Sequence, residues 1–227
     1  MTEVDKMAIV APQEQLVPCS NAEALTAVPV VRDVSKSHGA HVAPPWANLS
    51  LCAGWLQGPQ VRQVPTPNFN QRPQQEISLI VMHCIALPPH NFGGPYIDQL
   101  FTRTLNPTEH PYFKDIAPLE LSTHLFINRQ GKITQYVSFL DRAWHAGRSS
   151  YQGQKECNDF GIGIELEGTD DSAYTDEQYA ALNAILPLLY QAYPDIKERV
   201  ASHSEVAPQR KTDPGPYFDY TRIGLRC

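Results

Sequence analysis

Three short stretches of this chain carry residue types that together could hold a metal ion and hydrolyse a bond beside it. The first is ISLIVMHC (residues 77–84), a nearly continuous apolar run of strand length. Such a run suits a strand buried on both faces. With a period of two, Ile77, Leu79, Val81 and His83 share one face, so His83 is held rigidly near the strand's end. The second stretch is SHSEVAPQRKTDPGP (residues 202–216), which packs His203, Lys211 and Asp213 into a loop stiffened by Pro and Gly. Pro214 biases Asp213 towards extended backbone, and in extended chain Lys211 and Asp213 point the same way. Two histidines and a carboxylate suit a catalytic zinc site, with three protein ligands and one position open to water. The plainer alternatives are a hydrogen-bonded core histidine and a surface Lys–Asp pair.

The third stretch is GIGIELEG (residues 161–168). Alternation puts Ile162, Ile164 and Leu166 in the core, and Gly161, Gly163, Glu165 and Glu167 on the other face. Two glycines beside a glutamate leave room for a ligand to approach the backbone. Glu165 there could serve as general base towards water. The alternative is a half-exposed strand with two solvated glutamates. Trp144 and His145, in AWHAG, suit contact with sugar or peptide. His124 alternates with Ser122 and Phe126 and is less informative. His90 and His110 read as solvated loop residues, and His38 and His41 as an exposed pair without a third ligand.

Several elements must position these groups. Pro95 can open a helix carrying Ile97, Leu100 and Phe101 at helical spacing. Residues 122–128 and 133–139, joined by Arg129-Gln130-Gly131-Lys132, read as a β-hairpin. Thr175-Asp176-Glu177-Gln178 is a capping box. It opens a long helix with Leu182, Ile185, Leu186, Leu189 and Tyr193 on one face, which Pro187 should kink or break. Residues 200–203 suit a short last strand, and 217–225 a terminal helix. Strands interleaved with helices make this a mixed α/β domain. Residues 1–48 carry no defensible periodicity and read as an irregular, disordered extension, with one short helical piece at 21–27. The folded domain is expected over 49–227.

Composition narrows the class. The chain has 227 residues and a formal net charge of −6, which argues against a nucleic-acid binder. No apolar stretch approaches the ~20 residues of a membrane span, and no export signal is visible. Cys19, Cys52, Cys84, Cys157 and Cys227 are odd in number and lack a CxxC pair. They read as incidental thiols of a reduced, cytoplasmic protein.

HCIALPPHNFGGPYIDQLFTRTLNPTEHPYF, DRAWHAG, CNDFGIGIELEGTDDSAYTDEQY and APQRKTDPGP resemble the cytoplasmic anhydro-N-acetylmuramoyl-L-alanine amidases of bacterial cell-wall recycling, the AmpD family. The resemblance runs from about Trp55 to the end. It implies the fold shared with peptidoglycan-recognition proteins: a central mixed β-sheet flanked by helices, with a zinc groove on one face. It implies one Zn2+ per chain held by His83, His203 and Asp213. It implies Glu165 as the catalytic carboxylate and Lys211 as the cationic partner of the oxyanion. Trp144, His145 and Cys84 are then expected at the substrate, a small muropeptide. The implied reaction splits the amide between the lactyl group of anhydro-N-acetylmuramic acid and L-Ala. A monomer without nucleic-acid or membrane partners is expected. Two rival readings are a non-catalytic muropeptide-binding module and an exported amidase acting on intact peptidoglycan. Cys84 stands where relatives commonly have Asn, and Glu120 and Glu156 where some have Arg.

Overall fold

The computed structural model describes residues 25–26, 46 and 48–225. The expectations placed on His38, His41, Cys19, Cys227 and most of the N-terminal extension lie outside them. Near the start, β1 (Leu25–Thr26), β2 (Ser50–Cys52) and β3 (Trp55–Gln57) form a small antiparallel sheet. A strand therefore stands at residues 25–26, where the sequence suggested a helical piece. Trp46 packs against the main core and donates its indole N–H to Gly131 O at 3.1 Å.

The central sheet is built from β4 (Val61–Gln63), β6 (Leu79–Ile85), β7 (Leu125–Ile127), β8 (Ile133–Gln135), β12 (Gly161–Glu167) and β13 (Val200–Ser202). Its order is β13-β6-β12-β7-β8-β4, parallel except for the β7–β8 hairpin. This is the mixed α/β sheet the sequence implied. β6 and β12 lie side by side at its centre, with Glu165 opposite His83 and Gly163 opposite Val81. Both are buried on both faces over most of their length, as expected for strands flanked by parallel neighbours. Shorter pairs, β5 (Phe69–Gln71) with β9 (Asp141–Ala143) and β10 (Ser150–Tyr151) with β11 (Gln154–Lys155), edge the body.

One face of the sheet carries Ile80, Met82, Ile162, Ile164 and Leu166 against α3 (Asp176–Ala192). On the other, α1 (Tyr96–Phe101) and α2 (Phe113–Ile116) cover Phe126 and Tyr136. Leu79 and Val81 also face away from α3 and pack on Phe160, Ala201 and Val206. Ile77 precedes β6 and packs towards the α3 side, not with them.

α3 begins at the expected capping box, with the Thr175 hydroxyl accepting from Gln178 N–H and the Gln178 side chain accepting from Thr175 N–H. The buried Gln178 also donates to Ile127 O and Glu167 O, at 3.2 and 3.0 Å. One residue thus ties the helix start to two strand ends. Pro187 neither breaks the helix nor lies in the core: α3 runs through it to Ala192, and Pro187 sits on the exposed face. The terminal helix is shorter than expected, a 3-10 turn at Tyr220–Ile223.

Cys52 is disulfide-bonded, which corrects the reading of all five cysteines as free thiols. Cys84 and Cys157 are free.

Removing the Thr175 cap should cost about 1 kcal/mol. Urea unfolding of Thr175→Ala should show a lower midpoint at unchanged slope. An unchanged midpoint would mean that the cap does not limit stability.

Candidate metal centre and catalytic groove

β6 delivers His83 at its carboxyl-terminal end. β13 ends at Ser202, whose side chain accepts from Glu205 N–H and opens the single-turn α4 (His203–Val206), so His203 leaves the sheet beside His83. Asp213 returns to the same point. Its carbonyl accepts from Ser204 N–H at 3.0 Å, and Thr212 Oγ1 donates to Asp170 at 2.7 Å. At Gly215 φ is +81°, and a Cβ would lie 2.0 Å from Asp170 O, so this turn requires glycine.

Three ligand atoms converge. His83 Nδ1 lies 2.9 Å from His203 Nδ1 and 3.2 Å from Asp213 Oδ2, and His203 Nδ1 lies 3.0 Å from Asp213 Oδ2. The donor set is two imidazole nitrogens and a carboxylate, and both histidines are buried. A tetrahedral ion with ligands at ~2.0–2.1 Å spaces them by roughly 3.3 Å, close to the separations found. These residues fit a metal ion. The three ligands that the spacing and chemistry of the sequence suggested are brought together.

Burial lowers the His83 imidazole to about 4, countered in part by the hydrogen bond to Asp213, so the ring is neutral and able to ligate. Burial would raise the Asp213 carboxyl, but hydrogen bonds with His203 and His83 outweigh it and hold the group well below the usual carboxylate range.

Glu165 stands beside His83, with Oε1 4.0 Å from His83 Nδ1. Its Oε2 is buried without a hydrogen-bond partner. Burial, reinforced by the Asp213 charge, raises its pKa well above the ordinary value, and Lys211 offsets this only in part. A carboxyl so placed holds a proton more readily than an ordinary glutamate, as a group that exchanges protons with a neighbour must. Glu167, on the same face, differs. It is buried, with one oxygen accepting from Gly93 N–H and the other from Arg129 N–H. It organises loops and is not free for proton transfer, nor is it the solvated side chain of the plainer reading.

A cavity of about 290 Å³ opens over these groups. Glu165, His203, Asp213 and the exposed Lys211 line it, with Cys84, Trp144 and His145 at its walls. Trp144 donates its indole N–H to Asn70 at 2.8 Å. His145 faces two ways: besides lining the cavity, its Nδ1 lies 3.0 Å from His83 Nε2.

The glycines of β12 serve a purpose the sequence did not reveal. A Cβ at Gly163 would lie 2.5 Å from the His145 ring, and one at Gly161 would lie 2.6 Å from Cys157 O. The space beside them is filled by protein, not left for a ligand. Gly163 N–H donates to His124 Nδ1 at 3.0 Å. That leaves the proton of the neutral His124 ring on Nε2, 3.1 Å from Asp141 O. His124, His145 and His83 thus form a buried row, with ring centroids 5.7 and 5.1 Å apart. Sequence reasoning missed His124, Arg72 and Asn158. Only the repeated Gly at 161 and 163, read as room for a neighbouring side chain, could have pointed to the row. His90 is exposed and pairs with Asp171 at 3.8 Å. Like His110, it takes no part in the centre.

Parallel-dominated pairing thus sets His83 and Glu165 side by side on the two central strands, and the segment after β13 brings His203 and Asp213 to them as a group that could hold a metal ion. The sequence profile of the N-acetylmuramoyl-L-alanine amidases matches residues 73–216, and the chain belongs to that family. Within it, the chain is 55% identical over 176 residues to the 1,6-anhydro-N-acetylmuramyl-L-alanine amidase AmpD of Escherichia coli (strain K12), covering 77% of this chain and 95% of that protein. It is 56% identical over 176 residues to the AmpD of Citrobacter freundii, covering 77% and 93%. A crystal structure of a selenomethionine AmpD derivative superimposes with a TM-score of 0.74 at 54% identity, over 77% of this chain and 97% of that one. The resemblance drawn from the sequence motifs holds.

Removing one corner of the cluster should abolish metal retention. Asp213→Ala, loaded with zinc and then dialysed, should hold far less metal than the unmodified protein by plasma mass spectrometry. Equal metal content in the two would show that these three residues are not the site.

Proposed function

We propose that this chain is a zinc-dependent hydrolase of muropeptides. It cleaves the amide between the lactyl group of anhydro-N-acetylmuramic acid and L-Ala, in peptidoglycan recycling. The observation that carries the reading is the convergence of His83 Nδ1, His203 Nδ1 and Asp213 Oδ2 within 3.2 Å at the floor of a groove that also holds Glu165 and Lys211. The extent and level of identity to the AmpD relatives supports the bond and the substrate.

His83, His203 and Asp213 would hold one Zn2+. When bound, the ion supplies Lewis acidity, polarising the amide carbonyl and bringing water towards a usable pKa near ~7. Glu165 takes the proton of the attacking water at Oε2, the oxygen left without a partner. It then passes that proton to the departing amine of L-Ala, which must be protonated to leave. Lys211 donates to the carbonyl oxygen as negative charge develops there, a contribution of the kind commonly worth about 3–4 kcal/mol. Trp144, at the rim, offers a flat apolar surface to the sugar or the peptide stem. Cys84 and His145 border the same space.

No described helix is long and apolar enough to cross a membrane. The compartment we propose is the cytoplasm, in keeping with the family resemblance; the Cys52 disulfide is the observation that weighs against a reducing compartment. We propose a monomer, with the catalytic domain spanning residues 49–227.

The deciding experiment incubates zinc-loaded protein with anhydromuramyl-tripeptide and follows the products by mass spectrometry, with and without a chelator. Free tripeptide and anhydro sugar, abolished by the chelator, are expected. Intact substrate in the presence of stoichiometric zinc would leave a muropeptide-binding module.

Two substitutions separate the roles. Glu165→Gln should keep its zinc and lose about 10²- to 10⁴-fold in turnover. Lys211→Ala should lose about 10²- to 10³-fold, mostly in kcat. Normal turnover in Glu165→Gln would rule out this carboxylate as the base.

A further inference from the structure

Both histidines of the cluster turn their Nδ1 atoms inward, which leaves their Nε2 atoms facing the protein. Each meets a polar atom within hydrogen-bond distance, and the two atoms belong to adjacent residues. His203 Nε2 lies 3.2 Å from the carbonyl of Ala146. His83 Nε2 lies 3.0 Å from Nδ1 of His145. The segment holding both is fixed by a single side chain: Asn158 Oδ1 accepts from His145 N–H at 3.0 Å and from Ala146 N–H at 2.7 Å. The Ala146 carbonyl also receives Arg210 at 2.5 Å.

We infer that His145 is a positioning residue that fixes the tautomer of His83, accepting the His83 Nε2–H on its own Nδ1 and so leaving the His83 Nδ1 lone pair free for the metal. The inference rests on the metal reading above. A neutral imidazole carries one proton. If Nδ1 of His83 is to donate its lone pair to an ion, that proton must sit on Nε2, and the group 3.0 Å away must accept it. The tautomer of His145 follows in turn, with its own proton on Nε2. That atom is buried and has no hydrogen-bond partner. A buried donor without a partner is costly, a cost set against the hydrogen bond made by the other ring nitrogen.

Packing agrees. The His145 ring lies against Gly163, where any Cβ would meet its Cγ at 2.5 Å. The strand gives up a side chain to seat this ring. Metal-ligating histidines commonly hand their second N–H to a carboxylate or a carbonyl, and losing that partner typically costs 10- to 100-fold in metal affinity. Here a carbonyl serves His203 in the usual way, whereas an imidazole serves His83.

The test compares His145→Leu, which fills the space without an acceptor, with His145→Asn, whose side-chain oxygen can occupy the position of Nδ1. Zinc affinity is measured by competition with a chromophoric chelator, alongside circular dichroism and thermal unfolding. His145→Leu should bind zinc about 10- to 100-fold more weakly, and His145→Asn should recover most of that loss. Wild-type affinity in a folded His145→Leu overturns the inference. So does an equal loss in both folded variants, since that would mean the ring only fills space. If His145→Leu does not fold, nitrogen NMR on the zinc-loaded unmodified protein decides. A proton on His83 Nε2, with a scalar coupling across the hydrogen bond to His145 Nδ1, is expected; a proton on His145 Nδ1 overturns the assignment. Failure of the unmodified protein to bind zinc would instead defeat the metal reading itself.

Discussion

Two imidazole nitrogens and a carboxylate oxygen, all electron-rich, are held within 3.2 Å of one another at the end of a buried strand. Such groups repel unless a proton or a cation lies among them, and burial strengthens the repulsion by removing water. The fold must therefore impose the convergence from outside. β6 is locked by parallel pairing on both sides, to β12 and β13, so His83 and the turn into His203 move together. Asp213 is tied to α4 through Ser204 N–H and sits one residue from Thr212, anchored on Asp170. No local propensity would assemble these three groups; the sheet does so.

A second constraint lies beneath the first. Arg72 is buried, and its guanidinium donates to the carbonyls of Phe139, Asn158, Asp159 and Gly161 at 3.0–3.3 Å. Burial lowers its pKa to about 10, which still leaves it charged. The cation draws together the loop after the β7–β8 hairpin, the approach to β12 and β12 itself. Asn158 is held at its carbonyl by Arg72 and uses its side chain to fix residues 145 and 146. A path of direct hydrogen bonds thus links a residue before β6 to the backs of both histidine rings.

The five residues proposed for metal binding and catalysis were legible because strand periodicity and residue chemistry both mark them. His83 ends an apolar run, Glu165 alternates out of one, and His203, Lys211 and Asp213 crowd a Pro/Gly loop. The capping box of α3 and the hairpin turn were legible for the same reason, being local. Periodicity assigns a face but not what lies against it, so Gly161 and Gly163 read as a ligand path when they seat His145 and the Cys157 carbonyl. Pro187 read as a break because its exposed position, where a helix tolerates the loss, is a tertiary fact. Arg72 and Asn158 gave no signal and His124 only an uninformative alternation, since their partners are mostly backbone groups distant in sequence. The Cys52 disulfide was missed because Cys count and spacing carry no geometry.

Cys84 bears on what kind of metal site these residues could form. A thiolate next to His83 could serve as a fourth ligand, and a four-ligand site is the closed, structural kind. Successive strand residues point to opposite faces, and Cys84 pairs in register with Leu166, a core residue on the α3 side. Its side chain packs against that same core, away from the three convergent atoms, and it is not among the residues whose ligand atoms cluster. Burial pushes its thiol up to about 12. Among the described residues the convergent donors are two histidines and one aspartate, and the cavity lined by Glu165 and Lys211 opens beside them, so an ion held there would keep an open side. That open side is what a hydrolase needs and a structural zinc site lacks.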